Sequence, residues 1–350
     1  MSESSARSKE TVLVKATNIG KYFDVSEPWL NRIISGKPKS ILHAVDGISF
    51  SIRRGDTLAL VGESGCGKST TARMLVGLYK PTFGKIEIAG YDLANLHGKE
   101  GKLIRNKMQM IFQDPYASLN PRWTVGRIVA EPIHAQKLFD NKKDIEERVN
   151  SVLRLVNLSV SDKSKYPHQF SGGQRQRISI ARAIAVHPEF LVCDEPTSAL
   201  DVSVQAQVLN ILQSLQREIG LTYLFISHNL SAVYHISDRV GVMYLGRLVE
   251  LADKKTIFNN PKHPYTRLLL DSIPRIDDTG KDRSGIEGEV PNPLNPPKGC
   301  PFHPRCPHAM EICKKVFPES RLVQEGGSIT EVSCHLYPIS PAQKEKIGAF

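Results

Sequence analysis

The sequence predicts an α/β fold: a buried parallel sheet, a helical subdomain that interrupts it, and a small irregular C-terminal module containing cysteines. Three observations lead there. Short apolar runs bounded by turn residues recur at Thr57 to Val61, Phe190 to Cys193 and Leu221 to Ile226. Strands that short and that apolar are buried on both faces. From about residue 113 to 186 the pattern changes to helical periodicity, as in Ile145 to Leu155 and Arg175 to Ala185. After about residue 256 the composition shifts, and seven prolines fall within the 17 residues from Pro291 to Pro307. Neither a helix nor a sheet interior tolerates that density.

Taken in order, residues 1–10 are polar and mixed in charge and read as a disordered N-terminus. Val12 to Ala16 reads as a strand. Residues 26–40 form a basic insertion containing Trp29, Leu30, Ile33 and Ile34. It reads as a covered loop between strands, with a turn of amphipathic helix touching a membrane as the alternative. Ala44 to Arg53 alternates as a half-buried strand does. Thr57 to Val61 comes next, then a helix from Lys68 to about Leu78 and a strand from Lys85 to Ile88. Val204 to Ile219 is a long helix between two of the buried strands. A cassette over residues 11–255 and an extension over 256–350 are the expected domains.

The chain has 350 residues, a net charge of +10, 40% hydrophobic and 23% charged residues. That composition is globular and excludes disorder throughout. Its longest apolar runs fall far short of the roughly 20 residues that span a bilayer, and no secretory signal is visible. The basic residues are spread without a block of five or more, so nucleic acid is not read as a partner.

Residues 62–69 read Gly62-Glu63-Ser64-Gly65-Cys66-Gly67-Lys68-Ser69, the G-x-x-x-x-G-K-[ST] pattern between a buried strand and a helix. Glycines permit backbone angles that let successive N–H groups converge on phosphate oxygens, and the helix N-terminus adds positive charge. Lys68 should reach the β- and γ-phosphates of ATP, and Ser69 should ligate Mg²⁺. The stretch continues through Thr70; the Cys66 side chain has no required role. Phe190 to Cys193 then ends in Asp194 and Glu195. A buried strand places such carboxylates at the ligand-binding edge of the sheet. Asp194 would hold Mg²⁺ and Glu195 would polarise the attacking water. Ser171-Gly172-Gly173-Gln174 opens a helix with a good N-cap and exposed N–H groups, a second anion site.

The run from Phe170 to Arg177 resembles the signature of ATP-binding cassette (ABC) ATPases, with Phe170 where Leu is more usual. Asp194 to Asp201 looks like their Walker B and D-loop, the latter being Ser198, Ala199, Leu200 and Asp201. Gln113 matches the Q-loop and His228 the H-loop, with Asn229 where Asp is common. The resemblance covers residues 12 to about 250. It implies the P-loop NTPase cassette and a head-to-tail dimer, in which Ser171 to Gln174 of one cassette caps the ATP held by the other. It also implies that Gln113 contacts Mg²⁺ and the lytic water, that His228 contacts the γ-phosphate, and that Phe23 stacks on adenine, with Tyr22 as fallback.

Asn260 to Arg267 and Asn292 to Pro297 look like the C-terminal extension of dipeptide and oligopeptide importer ATPases, and the whole chain resembles their second ATPase subunit. The resemblance implies two transmembrane permease subunits, a second ATPase subunit in a heterodimer, an extracytoplasmic solute-binding protein, and a peripheral place on the cytoplasmic face of a bacterial inner membrane. Nickel, glutathione or another solute, a soluble ATPase acting on nucleic acid or ribosomes, and a redox-responsive regulator are the rival readings. Cys300, Cys306, Cys313 and Cys334 are spaced C-x₅-C-x₆-C-x₂₀-C. Spacing alone leaves iron–sulfur, zinc and unliganded thiols open. The importer resemblance implies a [4Fe–4S] cluster.

Overall fold

The computed structural model describes residues 11–36, 38–96, 98–272 and 288–337. The expected disordered N-terminus, residues 1–10, lies outside them. The strands are β1 (Val12–Asp24), β2 (Ile41–Arg53), β3 (Thr57–Val61), β4 (Phe83–Ile88), β5 (Tyr91–Asp92), β6 (Met108–Ile111), β7 (Phe190–Asp194), β8 (Thr222–Ile226), β9 (Arg239–Tyr244), β10 (Arg247–Asp253), β11 (Arg321–Glu325) and β12 (Ser328–Val332). They form an antiparallel sheet in the order β2-β1-β4-β5 and an eight-stranded sheet in the order β11-β12-β10-β9-β3-β8-β7-β6.

In the larger sheet β9, β3, β8, β7 and β6 run parallel. Every residue of β3, β7 and β8 is buried, as the unbroken apolar runs predict. Because these strands are parallel and adjacent, the segments leaving their C-terminal ends emerge at one edge of the sheet. Gly62 succeeds β3, Glu195 succeeds β7, and Ser227 and His228 succeed β8. Gln113 follows β6 at the same edge, and the site is built from these four chain segments.

The helical subdomain consists of Pro115–Ser118, Val125–Gln136, Lys142–Leu155 and Gly172–Ile184. Each start has its own cap: Asp114 accepts from Tyr116 and Ala117, Thr124 from Arg127, Asn141 from Asp144, and Ser171 from Gln174. The apolar faces of these helices join the core beneath β3 and β7.

Several expectations are corrected. The insertion after β1 is a helix, Trp29–Ser35, rather than a loop; Gly36 ends it with a left-handed φ of 65°. Trp29 and Ile34 on it are 67% and 84% exposed. The helix after the phosphate loop stops at Leu75, not Leu78, because Gly77 turns the chain with φ 74°. β1 and β2 are each 13 residues long, well beyond the expected strands, since they pair with each other over most of their length. The C-terminal module is not wholly irregular. β11 and β12 form a hairpin, and β12 pairs with β10, extending the cassette's own sheet. Ladder pairing thus holds part of the module that its proline content suggests should lack it. Among the described residues no helix is long and apolar enough to cross a membrane.

Candidate active site

The phosphate loop leaves β3 at Gly62 and enters the helix Lys68–Leu75. Two of its glycines are required by close approach. A Cβ at Gly62 would lie 2.2 Å from the Met243 carbonyl oxygen, and one at Gly67 would lie 2.3 Å from that of Ala44; their φ angles are +143° and +105°. Lys68 is only 6% exposed. Its ammonium donates to the carbonyls of Gly62 (2.7 Å) and Glu63 (2.9 Å), which holds it within the loop. Cys66 packs inward in the core, so only its backbone can face a ligand. Burial pushes its thiol up, in accord with a structural role. Ser64 and Gly65 are exposed at the loop's turn, and Thr70 lies in the helix's first turn.

The Ser69 hydroxyl donates to Asp194 Oδ1 at 2.9 Å. Burial raises the Asp194 carboxyl, against the hydrogen bond from Ser69 and the charge of Arg73. A hydroxyl and a buried carboxylate in contact beside a phosphate loop are the oxygen donors that Mg²⁺ takes alongside substrate phosphates. The donor set therefore fits Mg²⁺ bound with ATP.

Glu195 comes next with φ 48°, a left-handed conformation uncommon for a non-glycine residue and concentrated at functional sites. Its N–H donates to the Ile226 carbonyl at 3.0 Å, which ties the end of β7 to the end of β8. Its carboxylate Oε2 accepts from Gln113 Nε2 at 3.0 Å and lies 3.3 Å from His228 Nδ1. The structure thus brings together Lys68, Ser69, Gln113, Asp194, Glu195 and His228 from four separate stretches of chain. A carboxylate flanked by an amide and an exposed imidazole can orient a water and accept its proton.

Ser171 and Gln174 form a reciprocal capping box: Gln174 N–H donates to Ser171 Oγ at 3.3 Å and Ser171 N–H donates to Gln174 Oε1 at 3.0 Å. The helix begins at Gly172, three residues before the expected Arg175. The glycines serve packing as well as N–H exposure. A Cβ on Gly173 would meet Val204 Cγ1 at 2.2 Å, and one on Gly172 would touch Leu200. The signature helix is thereby seated on the D-loop, Ser198 to Asp201, whose last residue caps the helix Val202–Ile219.

At the candidate adenine position, Phe23 meets Tyr79 edge-on at 5.5 Å, with the Lys21 ammonium 5.2 Å from its ring. Tyr22 is already committed: it stacks on His43 at 3.9 Å and donates to Asp46 at 2.6 Å. Phe23 remains the better stacking surface of the two.

The C-terminal extension reaches the phosphate loop. Arg305 forks onto Glu63 with two bonds, Nη1 to Oε2 at 2.8 Å and Nη2 to Oε1 at 2.9 Å, and Nη1 also lies 3.2 Å from Tyr244 Oη. Glu63 N–H donates to Tyr265 Oη at 2.9 Å. Sequence reasoning missed all three partners. Only Tyr265 carried a signal, as part of the extension's His263-Pro264-Tyr265 turn. Behind it, Glu250 accepts the N–H groups of Lys262 (2.7 Å) and His263 (2.9 Å) and is itself pushed up by burial.

Cys300, Cys313 and Cys334 are buried and Cys306 half-buried. Burial, with smaller contributions from Cys334, Cys313 and Cys306, pushes the Cys300 thiol up to about 12. Cys300 N–H donates to the Cys313 carbonyl at 2.8 Å, and Met310 N–H lies 3.5 Å from Cys313 Sγ. Among the described residues no three His, Cys, Asp or Glu side chains are placed to hold one metal ion.

Comparison with known proteins accords with this geometry. Residues 45–198 match the ABC transporter family, and residues 249–313 match the oligopeptide/dipeptide transporter C-terminal region. Oligopeptide transport ATP-binding protein AppF of Bacillus subtilis is 49% identical over 95% of this chain and 99% of its own. Oligopeptide transport ATP-binding protein OppF of Salmonella typhimurium is 47% identical over 92% of this chain and 96% of its own. Among solved structures, a dimeric post-hydrolysis ATP-binding cassette bound to ADP and Pi superposes with a TM-score of 0.60 at 27% identity, covering 69% of this chain and 99% of that one. CbiO1 of Clostridium perfringens superposes at 0.61 with 27% identity, over 72% of this chain and 92% of its own.

Proposed function

This chain belongs to the ABC transporter ATP-binding subunits that carry the oligopeptide/dipeptide C-terminal region, and from that premise we propose that it hydrolyses ATP to drive peptide import. The observation that carries the reading is the convergence of the phosphate loop, the Ser69–Asp194 pair and the Glu195–Gln113–His228 cluster at one sheet edge, in a chain that also bears the importer extension.

Lys68 and the N–H groups of the loop bind the phosphates and offset their charge. Ser69 and Asp194, with Gln113 beside them, would hold Mg²⁺, which would supply positive charge against the transferring phosphoryl group. Glu195 accepts the proton of the attacking water, whose oxygen bonds to the γ-phosphorus as the bond to the ADP oxygen breaks. His228 contacts the γ-phosphate, Gln113 orients the water, and Phe23 stacks on the base. Ser171 to Gln174 present a capped helix start, which completes the site of an opposing cassette. The D-loop, Ser198 to Asp201, lies beneath that helix start and links it to its own cassette.

The chain would work with two membrane permeases that form the translocation path, and with a second ATPase subunit and an extracytoplasmic peptide-binding protein. It would then sit on the cytoplasmic face of the bacterial inner membrane. Cys300, Cys306, Cys313 and Cys334 are proposed ligands of a [4Fe–4S] cluster. Supporting this are four cysteines gathered in one small module, three of them buried and the fourth half-buried, with the Cys300 N–H donating to the Cys313 carbonyl. A cubane is held by one thiolate per iron, so its ligands do not converge on a single ion. The cluster would staple loops that cannot form ladders.

Reconstitution tests the whole reading. The chain co-expressed with its genomic permease and ATPase neighbours should show ATPase activity stimulated by peptide-loaded binding protein, with peptide accumulating in vesicles. ATP hydrolysis without uptake of any di- or oligopeptide, but with uptake of nickel or glutathione, would reassign the solute.

A further inference from the structure

The phosphate loop is held from outside the cassette, at a residue with no catalytic task. Glu63 is the second residue of the loop, and it is fixed at three points. Its N–H donates to Tyr265 Oη at 2.9 Å. Its carboxylate receives the two-pronged guanidinium of Arg305. Its carbonyl accepts from Lys68 Nζ at 2.9 Å and from Cys66 N–H at 3.3 Å. The first two partners belong to the C-terminal extension; the third is the phosphate-binding lysine itself.

The extension side is closely packed. The Arg305 side chain is 4% exposed, against 24% for Glu63. Arg305 ends a tight turn, His303–Arg305, directly after Phe302. Phe302 is fully buried and packs on Tyr244 at 5.2 Å and Tyr265 at 5.3 Å. Tyr244 ends β9, next to the Met243 carbonyl against which Gly62 must fit. The aromatic cluster therefore fixes the position from which both Arg305 and Tyr265 grip the loop. A planar fork on a carboxylate sets direction as well as distance, which a lysine cannot do.

We propose that Arg305 and Tyr265 are positioning residues of the phosphate loop, holding Glu63 so that the carbonyls around Lys68 and the loop's N–H groups are set for nucleotide before it binds. Nucleotide affinity in this subunit then depends on the extension, which lies outside the 45–198 cassette match. The inference rests on the ATPase reading of the loop and adds a determinant to it.

The test is titration calorimetry of the full-length chain with Mg·ADP, paired with thermal melts in saturating nucleotide and with KM and kcat in the assembled transporter. Arg305→Met should weaken Mg·ADP binding about 5- to 30-fold and raise KM in parallel, with kcat at saturating ATP within about twofold of wild type. Arg305→Lys should fall between them. Tyr265→Phe should weaken binding by a few-fold. Glu63→Gln combined with Arg305→Met should lose no more affinity than Arg305→Met alone, because both act through one contact. Should Arg305→Met fail to fold, Arg305→Lys and Tyr265→Phe carry the decision. Unchanged affinity in folded variants, or a lowered melting temperature with unchanged affinity, overturns the proposal while leaving the ATPase reading intact. Failure of the wild-type chain to bind Mg·ADP overturns both.

Discussion

Glu250→Ala should unseat the turn that brings Tyr265 to the phosphate loop. Glu250 is 1% exposed in β10, and each of its carboxylate oxygens accepts one backbone N–H, from Lys262 and from His263. Hydrogen bonds to a charged group contribute about 1.5–3 kcal/mol each, and the donors left behind are buried. Two such bonds give about 3–6 kcal/mol. Burying the carboxylate opposes this, as its raised pKa records. The net loss for Glu250→Ala should therefore be about 2–4 kcal/mol, and about half that for Glu250→Gln, which keeps one acceptor. The loss is local first. Hydrogen exchange resolved by mass spectrometry should show the amides of Lys262 and His263 losing protection, while β3, β7 and β8 keep theirs. Protection at those two amides within about 1 kcal/mol of wild type would refute the assignment of Glu250 as their anchor.

Glu195→Gln should bind Mg·ATP normally and lose turnover about 10²- to 10⁴-fold in the assembled complex, since it removes the proton acceptor and leaves the Lys68 and Ser69 contacts intact; phosphate release assays check it, and near wild-type turnover would reassign the catalytic carboxylate. His263 is fully buried, and burial, then the charge of Arg267, depresses its imidazole to about 3. Its stabilising contribution is complete above about pH 6.5 and fades as the pH falls towards about 3, so by pH 5 wild type should lose about 2 kcal/mol more than His263→Asn, read from urea melts at pH 7 and 5. Protein purified anaerobically should be brown, with absorbance near about 400 nm and about four iron per chain, and serine at any one of Cys300, Cys306, Cys313 or Cys334 should bleach it; stoichiometric zinc, or four free thiols on a folded tail, would reject the cluster.

The parts legible in the sequence are those whose chemistry is local. The phosphate loop needs its glycines and Lys68 within eight residues of one another, and the buried strands announce themselves by unbroken apolar runs. The carboxylates at the end of β7 are expected from where such a strand must end. Two features that differ from expectation also have local signals. Pro28 before the helix Trp29–Ser35 and Gly36 after it are the start and stop residues a short helix uses. Gly326 and Gly327, both at positive φ, join β11 to β12, and a two-glycine link between β-prone runs is a hairpin signal. In the first place the basic insertion masks the turn chemistry; in the second the proline run from Pro291 to Pro307 colours the reading of the whole module, although the hairpin lies beyond it.

Other parts carry no local signal because their reasons lie across the fold. Gly172 and Gly173 look like N–H donors in a linear reading, yet the contact with Val204 Cγ1 shows that Gly173 is equally a packing requirement, set by a helix 31 residues further on. Arg305 is 242 residues from Glu63, and in sequence it is one basic residue among 46. Nothing in its neighbours marks it as the partner of a phosphate loop. It becomes meaningful only once β10 has brought the extension alongside β9, and once Phe302 has inserted between Tyr244 and Tyr265. A bidentate pair with one side chain almost wholly buried cannot be incidental to the fold, because an unpaired guanidinium there would cost several kcal/mol. The loop that binds phosphate and the extension beyond the cassette are thus parts of one structural unit.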